Sequence, residues 1–204
     1  MRRYVGVVFS RLRGLYGRLL APLARLLLSW GIGPSAVTVF GTAGVVVASL
    51  TLLPTGRFVA GTLIVLAFLL GDGLDGNMAR LSGRESRFGA FLDSTLDRLA
   101  DAALFGGLVL WGARHDEVVL WLALACLALG FLVSYARARA EVEGWDASAG
   151  LFERTDRLLV SLAGVFAVGL GAPVAVLWVG LGLVAVGSAF TVGQRIRAAA
   201  VASR

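Results

Sequence analysis

The sequence contains no lysine, a single histidine and a single cysteine among its 204 residues. One cysteine, Cys126, excludes a disulfide framework, and its place inside an apolar run reads as small-residue packing. Without lysine there is no Walker-type glycine-lysine loop, which excludes nucleotide hydrolysis by that machinery. Charge of either sign is scarce, at 16% against 58% hydrophobic residues. Three stretches, 26–56, 118–136 and 158–194, carry no charged side chain at all. Runs of that length are read as membrane spans, which need roughly 20 mostly apolar residues. The last run is split by Gly171-Ala172-Pro173, which reads as a turn between two helices.

All 19 basic residues are arginines, and the formal net charge is +6. On a soluble chain that balance would suggest nucleic acid. On this one it sets membrane orientation and anionic ligands, with no nucleic-acid partner expected. Arg11, Arg13, Arg18 and Arg25 interrupt any apolar core near the N-terminus, so no secretory signal is expected there. Val5, Val8, Phe9, Leu12, Leu15, Tyr16 and Leu19 fall at helical spacing among those arginines, which predicts a helix over 4–20 lying on the membrane surface.

Two further segments have charge-free cores of only fourteen residues (58–71) and twelve (102–113). At 1.5 Å per residue these reach about 21 and 18 Å, short of a hydrocarbon layer of about 30 Å. Both become long enough only if the helices continue through the neighbouring aspartates. The expected architecture is an all-α integral membrane protein of one domain, 1–204. It has the surface helix and six spans near 34–54, 57–80, 87–113, 117–142, 154–171 and 173–197. Six spans put both termini on one side. Seventeen arginines then share that side, against Arg57 and Arg114 on the other, and the positive-inside rule makes the arginine-rich side cytoplasmic in a cell membrane. Trp111 and Trp121 flank the outer Arg114–Glu117 turn, where an aromatic belt belongs.

This arrangement puts Asp72 and Asp75 in the inner third of one span and Asp93, Asp97 and Asp101 in the inner third of the next. Ionisable groups at membrane depth are costly and mark function. Asp72 and Asp75 (i, i+3) share a helix face, as do Asp93 and Asp97 (i, i+4). The short turn over 81–87 makes the two helices antiparallel neighbours, so four carboxylates converge. Two carboxylates 4 Å apart repel by about 4 kcal/mol at an effective dielectric near 20. Bound cations relieve that, and oxygen-only ligands select hard ions, Mg²⁺ or Mn²⁺, with two ions expected. The one histidine, His115, maps to the opposite side, which disfavours a covalent route through it. Divalent ions at a membrane surface suit phosphoryl transfer from a diphosphate.

At this point the residues carry a resemblance. Asp72-x-x-Asp75-Gly76-x-x-Ala79-Arg80, eight residues, then Gly89-x-x-x-Asp93-x-x-x-Asp97 resembles the complete motif of the CDP-alcohol phosphotransferase family. The resemblance implies a six-helix membrane enzyme, usually a homodimer, that joins an alcohol to the phosphoryl group of a CDP-linked donor and releases CMP. It assigns Asp72, Asp75, Asp93 and commonly Asp97 to the metals and makes Asp97 the general base. It assigns Gly76, Ala79, Arg80 and Ser86 to the cytidine-diphosphate pocket. The likeness extends to 33–38, 134–141 and 152–158, which resemble actinobacterial phosphatidylinositol-phosphate synthases, enzymes of phospholipid biosynthesis that use CDP-diacylglycerol and inositol phosphate. Ser35, Ala36, Val37 and Thr38 thereby join the donor pocket. Ser35 stands where such enzymes often carry Asp, and Arg137 where Lys is common, keeping the charge but changing its geometry.

Arg137, Arg139, Arg154, Arg157 and Arg195 map to the cytoplasmic ends of the last three spans. Each alone reads equally well as a positive-inside residue facing headgroups. Together, beside a metal site, they suit a phosphorylated acceptor. The resemblance selects Arg137, Arg157 and Arg195 for the acceptor phosphate, with Arg154 nearby, and Glu153 is placed to pair with Arg157 at i, i+4. Residue chemistry does not separate inositol phosphate from glycerol 3-phosphate, the substrate of a phosphatidylglycerophosphate synthase; only the resemblance favours the former. A cation transporter is the competing class, but the outer halves of the spans offer no matching polar path.

Overall fold

The computed structural model describes residues 20–83, 86–147 and 150–203, and for Asp72 the backbone alone. The surface helix expected over 4–20 lies outside the described residues except for Leu20. Among the described residues every regular element is an α-helix: α1 (Leu20–Ser29), α2 (Pro34–Leu52), α3 (Phe58–Ser82), α4 (Arg87–His115), α5 (Glu117–Val142), α6 (Arg154–Gly169) and α7 (Ala175–Ala202). Four of them, α2, α3, α5 and α7, are long and apolar enough to cross a membrane. Helix α4 has the length, 29 residues, but carries the charged half of the motif on its first turns. Helix α6 has only 16 residues.

Local sequence sets the ends. Pro34 opens α2, where its missing N–H costs nothing. Gly83 closes α3 in the left-handed region (φ 63°), which only glycine adopts without strain. Ser86 caps α4 by accepting from Gly89 N at 2.9 Å. Asp116 caps α5, its Oδ1 accepting from Val119 N at 2.9 Å and from Trp178 Nε1 of α7 at 3.0 Å. The turns at Arg57 and Arg114 meet at this same end, where the Phe58 and Trp111 rings pack edge-on at 5.1 Å.

The six long helices close a ring in the order α3–α2–α4–α5–α7–α6, with α6 returning to α3. Close approach is made by glycine. A Cβ on Gly107 of α4 would stand 2.3 Å from the Ser49 carbonyl of α2, and one on Gly169 of α6 would stand 2.8 Å from Val59 N of α3. Small residues at crossings are how helices pack where lipid supplies no hydrophobic drive between them. The apolar core, including Leu53, Phe58, Leu104, Leu108, Val119, Leu162, Leu177 and Leu181, fills the ring away from its arginine-rich end.

One expectation is corrected. Helix α3 and helix α4 are not packed side by side along their length; each lies on α2, and the space between their charged ends is open. A short turn joins helix ends but does not oblige the helices to stay together. A short helix that was not expected from the sequence, α1, lies over Leu20–Ser29 and seats Ala24 against Leu74 and Met78 of α3.

Candidate active site: two cavities at the charged end

The first cavity, about 600 Å³, lies where the N-terminal ends of α2 and α4 face the last turns of α3. Ser35 and Thr38 come from α2, Asp75, Gly76, Ala79 and Arg80 from α3, and Ser86, Gly89 and Asp93 from the start of α4. Two helix N-termini directed at one space favour an anion there. Asp75 is buried, and its Oδ2 accepts a hydrogen bond of 2.5 Å from Thr38 Oγ1. Six of the eight residues expected at the donor pocket are on this wall. Ala36 and Val37 are not: Ala36 is exposed, and Val37 packs toward Ala24, Leu74 and Met78. Ser35 and Thr38 sit three apart and share a face, while each intervening residue turns about 100° away.

The second cavity, about 500 Å³, adjoins it one turn further along α4. Asp97 and Arg98 of α4 line it, with Ser134, Arg137 and Glu141 of α5, Glu153, Arg154 and Arg157 at the start of α6, and Arg195 of α7. All four arginines expected at the acceptor are thus brought to one space. Their partners differ. Arg137 is half-exposed and donates to Glu141 Oε1 at 2.8 Å. Arg154 lies between two carboxylates, with Nη1 2.6 Å from Asp97 Oδ1 and Nε 2.9 Å from Asp101 Oδ1. Arg195 is buried and donates to the Val133 carbonyl. Arg157 is 1% exposed, and its Nη2 lies 3.7 Å from Asp101 Oδ2, while its Nε and Nη1 have no hydrogen-bond partner. Gly130 leaves room for this guanidinium: a Cβ there would be 3.5 Å from Arg157 Nε.

The structure separates what the sequence grouped. Asp75 and Asp93 face the first cavity, whereas Asp97, although on the same face of α4 as Asp93, faces the second. Among the described residues no three carboxylate, histidine or cysteine groups gather closely enough to hold an ion, and the Asp72 side chain is outside that description. The chemistry of the donor set nevertheless fits a hard divalent cation: oxygen-only ligands, one of them buried and oriented by a hydroxyl. Glu153 does not pair with Arg157. It stands at the α6 N-terminus, where its backbone N–H donates to Asp156 Oδ2 at 3.0 Å, and Arg157 turns to Asp101 instead. Arg98 was not singled out from sequence, and Asp101 was placed at membrane depth with Asp93 and Asp97 but given no role. The i, i+4 step from Asp97 to Asp101 was the available signal, since it continues the Asp93–Asp97 face.

Residues 32–195 match the CDP-alcohol phosphatidyltransferase family. The chain is 44% identical over 192 residues to the phosphatidylinositol phosphate synthase of Streptomyces avermitilis, covering 90% of this chain and 79% of the relative. It is equally 44% identical to that of Mycobacteroides abscessus, covering 91% and 86%. The fold superposes with a TM-score of 0.86 on the crystal structure of Mycobacterium tuberculosis phosphatidylinositol phosphate synthase (PgsA1) with CDP-DAG bound, at 41% identity over 89% of this chain and 94% of that one. A second structure of the same protein, in complex with manganese and citrate, gives a TM-score of 0.85 at 41% identity, covering 88% of each chain. By sequence and by fold alike, the chain belongs to the CDP-alcohol phosphatidyltransferase family.

Proposed function

We propose that this chain is a phosphatidylinositol-phosphate synthase that transfers the phosphatidyl group of CDP-diacylglycerol to a hydroxyl of inositol phosphate and releases CMP. The observation that carries the choice of a phosphorylated acceptor is Arg157, a buried guanidinium with two unpartnered N–H groups on the wall of the cavity that Asp97 faces. Arg195 stands on the same wall. A neutral acceptor offers such groups only hydroxyl oxygens, whereas a phosphate gives them stronger, charge-assisted hydrogen bonds and offsets the buried charge. The names of the relatives agree, and the bound ligand of the tuberculosis structure suits the first cavity.

In this reading Ser35, Thr38, Gly76, Ala79, Arg80 and Ser86 receive the cytidine diphosphate. Asp72, Asp75, Asp93 and Asp97 would hold Mg²⁺ or Mn²⁺, the latter present in the tuberculosis relative, and the ions neutralise charge on the diphosphate. Arg157 and Arg195, with Arg137 and Arg154 beside them, hold the acceptor phosphate and so present a hydroxyl toward Asp97. Asp97 takes the hydroxyl proton as that oxygen bonds to the phosphorus bearing the diacylglycerol. The bond from that phosphorus to the bridging oxygen breaks, and CMP leaves with the electron pair. Six spans, a cytoplasmic active site, a surface helix over 4–20 and a homodimeric assembly complete the proposal.

The test is CMP release by purified protein given CDP-diacylglycerol and Mg²⁺ with each of three acceptors. Inositol phosphate is expected to turn over at least ~10-fold faster than glycerol 3-phosphate, with no reaction on free inositol or after chelation of the metal. Preference for glycerol 3-phosphate would move the assignment to a phosphatidylglycerophosphate synthase, and no turnover on any acceptor would end it.

The Thr38–Asp75 hydrogen bond yields a second expected outcome. Thr38→Val keeps the shape and removes the donor, so Mn²⁺ affinity is expected to fall about 10- to 100-fold. Titration followed by electron paramagnetic resonance measures it, and an unchanged affinity would show that Thr38 does not orient Asp75.

A further inference from the structure

Helices α4 and α6 are not direct neighbours in the ring, yet the proposed base stands on one and two acceptor arginines on the other. Two carboxylates of α4 reach α6: Asp97 pairs with Arg154 alone, whereas Asp101 pairs with both Arg154 and Arg157. Asp101 is 8% exposed and faces three guanidiniums: Arg154 Nε at 2.9 Å, Arg98 Nη2 at 3.6 Å and Arg157 Nη2 at 3.7 Å. Arg98 carries the connection onward by donating to Ser134 Oγ of α5. Three cations drawn to one point repel one another unless an anion sits between them, and a buried cation is tolerated only when paired.

We infer that Asp101 is the positioning residue of the acceptor site: it gathers Arg98, Arg154 and Arg157 from α4 and α6 and fixes the distance between the phosphate-holding arginines and Asp97. It does not touch the reacting atoms. Its two oxygens divide the work, since Oδ1 takes Arg154, which also reaches Asp97, and Oδ2 takes Arg98 and Arg157. Acceptors are thereby selected by the spacing between their phosphate and the hydroxyl that attacks. The inference rests on the functional reading above and adds to it a residue that no motif position supplies.

The experiment is steady-state kinetics of Asp101→Asn and Asp101→Glu in detergent-purified protein, varying CDP-diacylglycerol and inositol phosphate separately. Asparagine keeps the shape but loses the charge that collects the arginines. Its KM for inositol phosphate is expected to rise at least ~10-fold, with the KM for CDP-diacylglycerol within about two-fold of wild type. Glutamate restores the charge one methylene further out, so its KM for the acceptor is expected to fall between the other two. A merely structural role would lower the active fraction and leave both KM values alone. If Asp101→Asn gives no folded protein, Asp101→Glu alone decides, by a shift in acceptor KM without a shift in donor KM. Equal KM values in wild type and the variants would overturn the inference while leaving the functional reading intact. Wild-type protein that neither binds nor consumes a phosphorylated acceptor would sink the functional reading first and this inference with it.

Discussion

Asp97→Asn abolishes CMP release, by at least ~10³-fold in kcat, while CDP-diacylglycerol binding stays within about two-fold of wild type. Proton transfer by a placed side chain contributes typically 10²–10⁴-fold, so loss of the base alone accounts for most of that figure. The amide keeps the volume of the carboxylate and leaves an oxygen for Arg154 Nη1, which now stands 2.6 Å from Asp97 Oδ1. What it lacks is a basic site for the hydroxyl proton. Donor binding survives because three of the four proposed metal ligands, Asp72, Asp75 and Asp93, are untouched, and Asp97 faces the arginine cavity one turn along α4 from Asp93. The decisive comparison is turnover against binding of the CDP-lipid in the same preparation. A variant that keeps its rate removes Asp97 as the base, and one that loses both would make it a donor ligand first.

Arg157→Gln gives the other large effect: a rise of at least ~100-fold in KM for inositol phosphate, with little change for the donor. Hydrogen bonds from a charged donor contribute about 1.5–3 kcal/mol each, and two unpartnered N–H groups on Arg157 await them. Two such bonds amount to about 3–6 kcal/mol, and every 1.4 kcal/mol is tenfold. The glutamine also removes a guanidinium held almost wholly out of water while Asp101 keeps Arg98 and Arg154 as partners, so folded stability is expected to hold or improve even as activity falls. Kinetics together with thermal unfolding in detergent distinguishes this from simple damage. A lower melting temperature with unchanged acceptor KM would mean that Arg157 serves packing alone.

The helices were legible because membrane depth leaves few options. Charge-free cores too short to cross had to continue into the aspartates, and α3 runs on through Asp75 to Ser82 while α4 carries Asp93, Asp97 and Asp101. The wall of the first cavity was legible where residues sit three or four apart on one helix, as with Asp75 and Ala79. The ring order was not. The turn between α3 and α4 encodes nothing about α2 entering between them, because that depends on how apolar faces and glycines mesh across helices distant in sequence. For the same reason the sharing of Asp101 among arginines of α4 and α6 could not be read from spacing: it is set by where α6 lies, through the α6–α7 and α6–α3 packing.

Helix α6 spans about 24 Å at 1.5 Å per residue, less than the roughly 30 Å of a bilayer interior. It cannot hold its own depth in lipid, so α3 and α7 must clasp it, the former across the Gly169–Val59 backbone contact. Helix α7 follows α6 in the chain and emerges after it during synthesis. Until it inserts, α6 lacks one of its two clasps, and Arg195 has yet to join Arg154 and Arg157. The nascent chain therefore completes its acidic half well before its cationic half, and no unfinished polypeptide carries a working pair.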